Sequence, residues 1–293
     1  MTYKRPSGEK LFDVCNIALF GFLAILWTYP FIYTLSMSLS TAAEASRDGF
    51  HFFPRDISLF SYKAVLGNPN IITGYYNTIM RTFLGTVLTL LASCIAAYPL
   101  SRREMPKRSM IIFFIVFTML FSGGMIPNYI LVKDLGLINT VWSLVIPTLL
   151  SGFNIIIMKN FFQSIPESFV EAARIEGAGE WTILFKIFIP LSKPVLATVA
   201  LWTMVAHWNA WLDALLYITD DNKQVLQIFL QRIVIESSAK LMDMGVTDQT
   251  ITQFTPETIK AATVIVTILP IICVYPFVQK YFVSGIMLGG VKE

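Results

Sequence analysis

The sequence is short of charge. Only 14% of its 293 residues are Asp, Glu, Lys or Arg, and 55% are hydrophobic; a soluble domain carries about 25% charge. Mean hydropathy is +0.63. That shortage excludes an ordinary soluble fold and points to an integral membrane protein. Cysteine is also scarce. Cys15, Cys94 and Cys273 each fall inside an apolar run and none has CxxC spacing. This argues against a disulfide framework or a zinc site, and the expectation is buried, inert thiols. The two histidines, His51 and His207, have no partner at metal-ligand spacing. The net charge is only +3 and no basic run is interleaved with aromatics, so no nucleic-acid partner is expected. There is no HExxH or GxSxG and no converging set of carboxylates, histidines and serines, which argues against an intramembrane enzyme. No carboxylate stands in the middle of an apolar run, as ion coupling in a secondary transporter would require. There is no G-x-x-x-x-G-K-[ST] phosphate loop, and the closing GIMLGGVKE lacks that spacing.

What is present is a set of long apolar runs. Six spans are expected, at about 14–38, 73–98, 109–132, 138–158, 191–215 and 260–283, within a single domain over 1–293. The first run is too long for a signal-peptide core and reads as an uncleaved helix. Gly123-Gly124 and Pro127 should bend the third span near its outer end, and Pro270 and Pro276 should interrupt the sixth. Arg81 within the second span is costly in lipid and must face protein or an aqueous cavity. It either pairs with a carboxylate of a partner or serves as a structural group close to the outer surface. Basic residues mark the inner side: Lys4, Arg5 and Lys10; then Arg102, Arg103, Lys107 and Arg108 in SRREMPKRS; then Lys159, Arg174, Lys186 and Lys193. Both termini are therefore expected in the cytoplasm of a multi-pass cell-membrane protein. Loops 39–72, 133–137 and 216–259 face outward. The last is long enough to be functional.

The inward-facing segment between spans four and five reads QSIPESFVEAARIEGAGEWTILFKIFIP. Ser164 is placed to cap a helix, Pro166 suits a first turn, and Gly177 is placed to end the helix in a left-handed conformation. A second short helix should start near Glu180. Helical spacing puts Ile165, Phe169, Ala172 and Ala173 on a docked face and Glu167, Glu171 and Arg174 on an offered face. From the residues alone, a plain interfacial loop and a partner-docking element both fit.

Glu171-Ala172-Ala173, Gly177, Ile187 and Pro190 match at the right spacing the EAA loop of ATP-binding-cassette importer permeases, and the segment resembles that loop. Ile189 stands where leucine is usual. The resemblance implies an all-α fold of the type I importer permease class, with six transmembrane helices and a coupling loop over 164–190. It implies that the two short helices seat in a separate cytoplasmic ATPase. Glu171 would be the charge partner there, Ala172 and Ala173 the close contact, and Gly177 the turn. It further implies a second homologous permease subunit, two ATP-binding subunits and an extracytoplasmic solute-binding protein. ATP and Mg would be bound by the partner ATPase and no cofactor by this chain. The family's C-terminal tail reaches towards the ATPase, making Gly289, Gly290 and Lys292 candidate contacts.

PLSKP, HWNAWLDALLYI and GIMLGGVKE resemble the carbohydrate branch of the maltose type. SGGMIPNYILVKDLGLINT resembles its oligosaccharide and polysaccharide subset. Sugars bind through aromatic faces and hydrogen-bonding edges, which makes Trp208, Asn209, Trp211 and Asp213 candidates for the substrate path, with Phe121, Asn128 and Tyr129 beside them. Trp202 and His207 belong to the same cluster. For the tryptophans the other reading is an interfacial belt; for Asp213 it is a solvated position at the membrane exit. The alternative functions are a permease of the same superfamily for peptides or amino acids, or a secondary transporter.

Overall fold

The computed structural model describes residues 7–47, 49, 52–235 and 255–290. Its regular elements are helices, with one isolated bridge between Ser40 and Ile57. The chain divides into two compact units, residues 1–69 with 230–268 and residues 70–229 with 269–293.

In the first unit, α1 (Ser7–Ser38) carries Glu9, Lys10 and Asp13 in its first two turns and no charge after them. Leu19, Phe20, Ile25 and Trp27 are all exposed. A helix with no polar face is built for lipid or for another protein's apolar surface. Two short helices follow, α2 (Ala42–Ala45) and α3 (Phe60–Leu66). The chain between them is tied by Glu44, whose buried carboxylate accepts the backbone N–H groups of Arg55 at 2.7 Å and Asp56 at 3.0 Å. Those two donors hold its carboxyl below the usual glutamate range. Ser61 Oγ donates to Thr258 Oγ1 at 3.0 Å.

The second unit is organised around α4 (Pro69–Ser101). Its inward face is a stripe of small residues at helical spacing, with Gly74, Thr78, Gly85, Thr89 and Ser93 among them, which lets neighbouring helices approach closely. The core at its far end joins Cys94, Ala97 and Tyr98 to Met158, Phe162 and Ile183. Two of the expected spans are bent pairs, and a third sharp bend leads from the coupling segment into the fifth. Helices α5 (Arg108–Leu120) and α6 (Met125–Asp134) meet at 110°. The α5 part is 13 residues, about 20 Å at 1.5 Å per residue, so the third span does not cross as one straight helix. The break falls at Gly123-Gly124, with Gly124 at φ 89°. Helix α7 (Trp142–Val145), extended by a 3₁₀ turn to Thr148, and α8 (Gly152–Phe162) meet at 54°. After α9 (Ser168–Ile175), the short α10 (Glu180–Ile183) widens into a π segment over Leu184–Phe188 and ends in α11 (Ile189–Leu191). Pro190 has no N–H for the Lys186 carbonyl, which suits that widening. The chain then bends by 81° into α12 (Lys193–Asn209). Counting each bent pair as one, up to six spans are long and apolar enough to cross a membrane.

Helices α13 (Leu212–Tyr217) and α14 (Leu226–Ile235) follow, and α15 (Pro256–Gly290) closes the described chain. Part of the 216–259 loop is thus helical, while 236–254 lies outside the described residues, as does His51. The expected interruption at Pro270 and Pro276 is corrected: α15 runs through both. Within a membrane, neighbouring groups re-satisfy the few backbone carbonyls that proline frees. The expectation for the thiols is corrected in part. Cys94 is buried, but Cys15 and Cys273 lie on exposed apolar helix surface.

The Glu44 tie yields a test. Glu44→Ala is expected to speed tryptic cleavage after Arg55 several-fold at neutral pH; an unchanged rate would remove the role assigned to the carboxylate. Because its folded pKa is depressed, its contribution is complete above the ordinary value of about 4.3 and is lost as the pH falls through the lower folded value.

Candidate functional site

The charged segment folds as a helical hairpin, with one register correction. Ser164 does not cap α9. Its hydroxyl donates to the Phe161 carbonyl at 2.7 Å, at the end of α8, and α9 starts four residues later. The docked face also shifts. Val170 and Ala173 are buried, with Ile165 packed against the same core, while Phe169 and Ala172 are exposed. Glu171 is exposed and makes no ion pair among the described residues. Gly177, at φ 81°, ends α9 in a double-bonded turn. Its N–H donates to the Arg174 carbonyl at 3.0 Å, and the Ala178 N–H to the Ala173 carbonyl at 2.9 Å. A side chain there would be strained by the positive φ. The hairpin therefore offers Phe169, Glu171, Ala172 and Ile175 on its first helix and Trp181 and Phe185 on its second. Ile187 is half-buried and Pro190 exposed.

A polar clamp, which sequence reasoning missed, fastens this hairpin to α4. The Tyr98 hydroxyl donates to Glu180 Oε2. Glu180 Oε1 accepts from Arg174 Nη2 at 3.0 Å, and Arg174 Nη1 lies 3.6 Å from Glu104 Oε2. Arg102 reaches Glu167 at 3.2 Å, and Arg108 Nε donates to the Leu100 carbonyl at 2.8 Å. Three charged residues of SRREMPKRS, read from sequence as a topology marker, thus also have partners within the fold: Arg102, Glu104 and Arg108. Clamp residues and Trp181 line a groove of about 510 Å³.

The expected substrate-path residues scatter. Trp208 is 6% exposed and its ring lies 6.3 Å from that of Tyr75. Asn209 is exposed and its amide donates to the Val205 carbonyl at 2.9 Å. Trp211 is about a third exposed. Phe121 stacks on Phe117 and Tyr129 on Tyr217, while Asn128 is exposed. Asp213 is the ion-pair partner of Arg81, so the charge of that arginine is paired inside this chain. The Arg81 side chain is 1% exposed and that of Asp213 21%, and Arg81 Nη1 also donates to the Ala210 carbonyl at 2.9 Å. Helices α4 and α12 touch beside this pair: a Cβ at Gly85 would run into the His207 ring. The signal in the sequence was a lone cation in one span with a lone carboxylate at the end of another. Gly289 and Gly290 end α15, and Lys292 lies outside the described residues.

A family model described as the binding-protein-dependent transport system inner membrane component matches residues 80–287. The chain belongs to this family. It is 40% identical over 294 residues to the protein LplC of Bacillus subtilis (strain 168), covering 99% of this chain and 98% of that one. It is 40% identical over 288 residues to the polygalacturonan/rhamnogalacturonan transport system permease protein YtcP of the same organism, covering 97% and 99%. Its fold is similar to a chain in the crystal structure of a bacterial ABC transporter involved in the import of the acidic polysaccharide alginate. There the TM-score is 0.87 at 36% identity, covering 96% of this chain and 100% of that one. The permease is thus an all-helical, multi-pass transport subunit of the type I ABC importer class, and not itself an enzyme.

The ion pair predicts how this permease fails. Asp213→Leu strands a buried guanidinium and is expected to cost about 3 kcal/mol. The double variant Arg81→Met/Asp213→Leu removes both charges and should recover most of that loss. Thermal unfolding of the purified protein reads both; equal loss in the single and double variants would show that the pair is not the source.

Proposed function

We propose that the permease is one of two membrane halves of an ATP-driven importer of oligo- or polysaccharides. The observation that carries this reading is 40% identity, over nearly the full length of both chains, to a permease named for polygalacturonan and rhamnogalacturonan transport. The likeness to an alginate-importer chain supports it. On this reading residues 1–293 act as one permease domain. Both termini are cytoplasmic, as the basic residues at the N-terminus and over 102–108 favour. A homologous permease completes the path, a pair of ATPase subunits binds ATP and Mg, and an extracytoplasmic binding protein docks on the outer loops, 216–259 included.

The exposed side of the α9–α10 hairpin seats in the ATPase. Glu171 supplies a carboxylate to a basic partner, and the small Ala172 permits close approach. Ala173, being buried, supports the hairpin from within, and Gly177 makes its turn. Ile187 and Pro190 fix the return into α12. The tail residues Gly289, Gly290 and Lys292 are further contacts for the ATPase. Closure of the ATPase pair moves the hairpin, and the Tyr98–Glu180–Arg174 clamp carries that movement into α4. Alternating access follows because the closed ATPase binds one arrangement of the spans better than the other.

Two variants in the reconstituted complex test this. Glu171→Lys should abolish binding-protein-stimulated ATP hydrolysis and uptake, leaving the sugar affinity of the binding protein unchanged; normal stimulated hydrolysis would sink the assignment. Tyr98→Phe should leave assembly and hydrolysis intact while lowering uptake per ATP by several-fold.

A further inference from the structure

A pocket of about 380 Å³ lies between α4, the start of α8 and α12, within the ~300–1,000 Å³ range of small-molecule sites. Its lining does not suit lipid. Thr203 Oγ1 and Thr89 Oγ1 are buried there without a hydrogen-bond partner among the described residues, on side chains 7% and 1% exposed. Arg81 Nε is a third such atom. Leaving a buried polar group unpaired costs about 1–3 kcal/mol each, and three such groups sit on side chains in the wall of this one cavity, where a small rotation would turn them towards a polar occupant. Asn154, 8% exposed, adds an amide.

The second observation is the break in the fourth span. Between Thr148 and Gly152 the backbone leaves the helix, with Ser151 extended at φ −106° and ψ 122°. Non-helical backbone at membrane depth is tolerated only where it is buried in protein or lines an aqueous cavity. Thr148 and Ser151 both line this pocket. The third observation is aromatic. Phe153 and Trp202 pack with ring centroids 5.5 Å apart, and each keeps a large exposed surface, 49% and 38%.

We propose that this pocket is a subsite for one sugar unit of the transported saccharide. It deepens the saccharide reading above and rests on it. Hydroxyls both donate and accept hydrogen bonds, so threonine and serine hydroxyls match the hydroxyl edge of a sugar ring, and the amide of Asn154 offers both functions at once. Trp202 and Phe153 supply the apolar surface for the C–H face of the ring. Arg81 is already neutralised by Asp213 at the pocket wall, so the pocket holds no net charge for a carboxylate or a cation. It selects the hydroxylated ring and not the charged group of an acidic sugar.

The test uses the whole complex in proteoliposomes with its binding protein, fed maltotriose and trigalacturonate separately. Thr203→Val keeps the side-chain volume and removes one hydroxyl. It is expected to lower the maximal uptake rate of the transported sugar about five- to tenfold, the scale of one lost hydrogen bond. The half-saturating concentration, set by the binding protein, and the assembly of the complex should not change. Thr203→Ser should restore the rate. Trp202→Ala should lose more, and Trp202→Phe should restore most of it. Unchanged maximal uptake in both Thr203→Val and Trp202→Ala would overturn the subsite while leaving the saccharide reading intact. Should the wild-type complex import neither sugar nor any other oligosaccharide, the saccharide reading itself would fall, and the subsite with it. If Trp202→Ala does not assemble, the isosteric threonine variant decides alone.

Discussion

A chain that crosses hydrocarbon must satisfy its own backbone, because no water is there to do so. Everything else in this permease is arranged around that constraint. It makes every span helical, and it makes each departure from a helix informative. Three departures stand out: after Leu120, between Thr148 and Gly152, and at Ser192. Ser192 is fully buried, so its irregular backbone is sheltered by protein. The break in the fourth span lines a pocket, with Thr148 and Ser151 in its wall. The break after Leu120 differs from the one at Ser192, because its residues 121–124 are exposed.

The same constraint governs side chains. Arg81 could not remain in a span with its charge exposed to acyl chains. It is buried against Asp213 and the Ala210 carbonyl, and the small residues of α4 let α12 come near enough for the pairing to form. Gly85 is the clearest instance, since a methyl group there would collide with His207. The pair is a consequence of close helix approach as much as a cause of it. A buried ion pair adds little net stability, so its main effect is to fix which faces of α4 and α12 meet.

Local features of the sequence were legible; distances between them were not. Gly177 could be read as a left-handed helix end because only its own backbone and its neighbours decide it. The Gly123-Gly124 break was legible for the same reason. Helical spacing counted from Ile165 misplaces the docked face of α9, because Ile165 packs on the core from the turn before the helix starts at Ser168, and the helix itself buries Val170 and Ala173. Trp208 carries two readings, sugar contact or interfacial belt, and the structure adds that it is buried with its ring 6.3 Å from that of Tyr75. Composition could not distinguish an aromatic that contacts a ligand from one that packs a helix. Arg81 and Asp213 are 132 residues apart in the chain, and no periodicity connects them. The clamp from Tyr98 to Glu180 spans 82 residues and was hidden for the same reason.

The break in the third span carries the argument one step outward. Helix α5 rises about 20 Å from the basic loop, less than the roughly 30 Å of a bilayer core. The non-helical residues 121–124 are exposed, and the chain then turns by 110°. The N–H groups of Phe121 and Gly124 are taken by the Phe117 carbonyl and the Ser122 hydroxyl, but irregular backbone at that depth cannot face lipid. It requires either another protein or a water-filled path against it. Phe121, stacked on Phe117 and exposed, stands at this point, with Asn128 and Tyr129 on the helix that follows. The exposure of that backbone is therefore a physical reason, independent of any sequence likeness, to expect protein or water rather than acyl chains against this side of the chain.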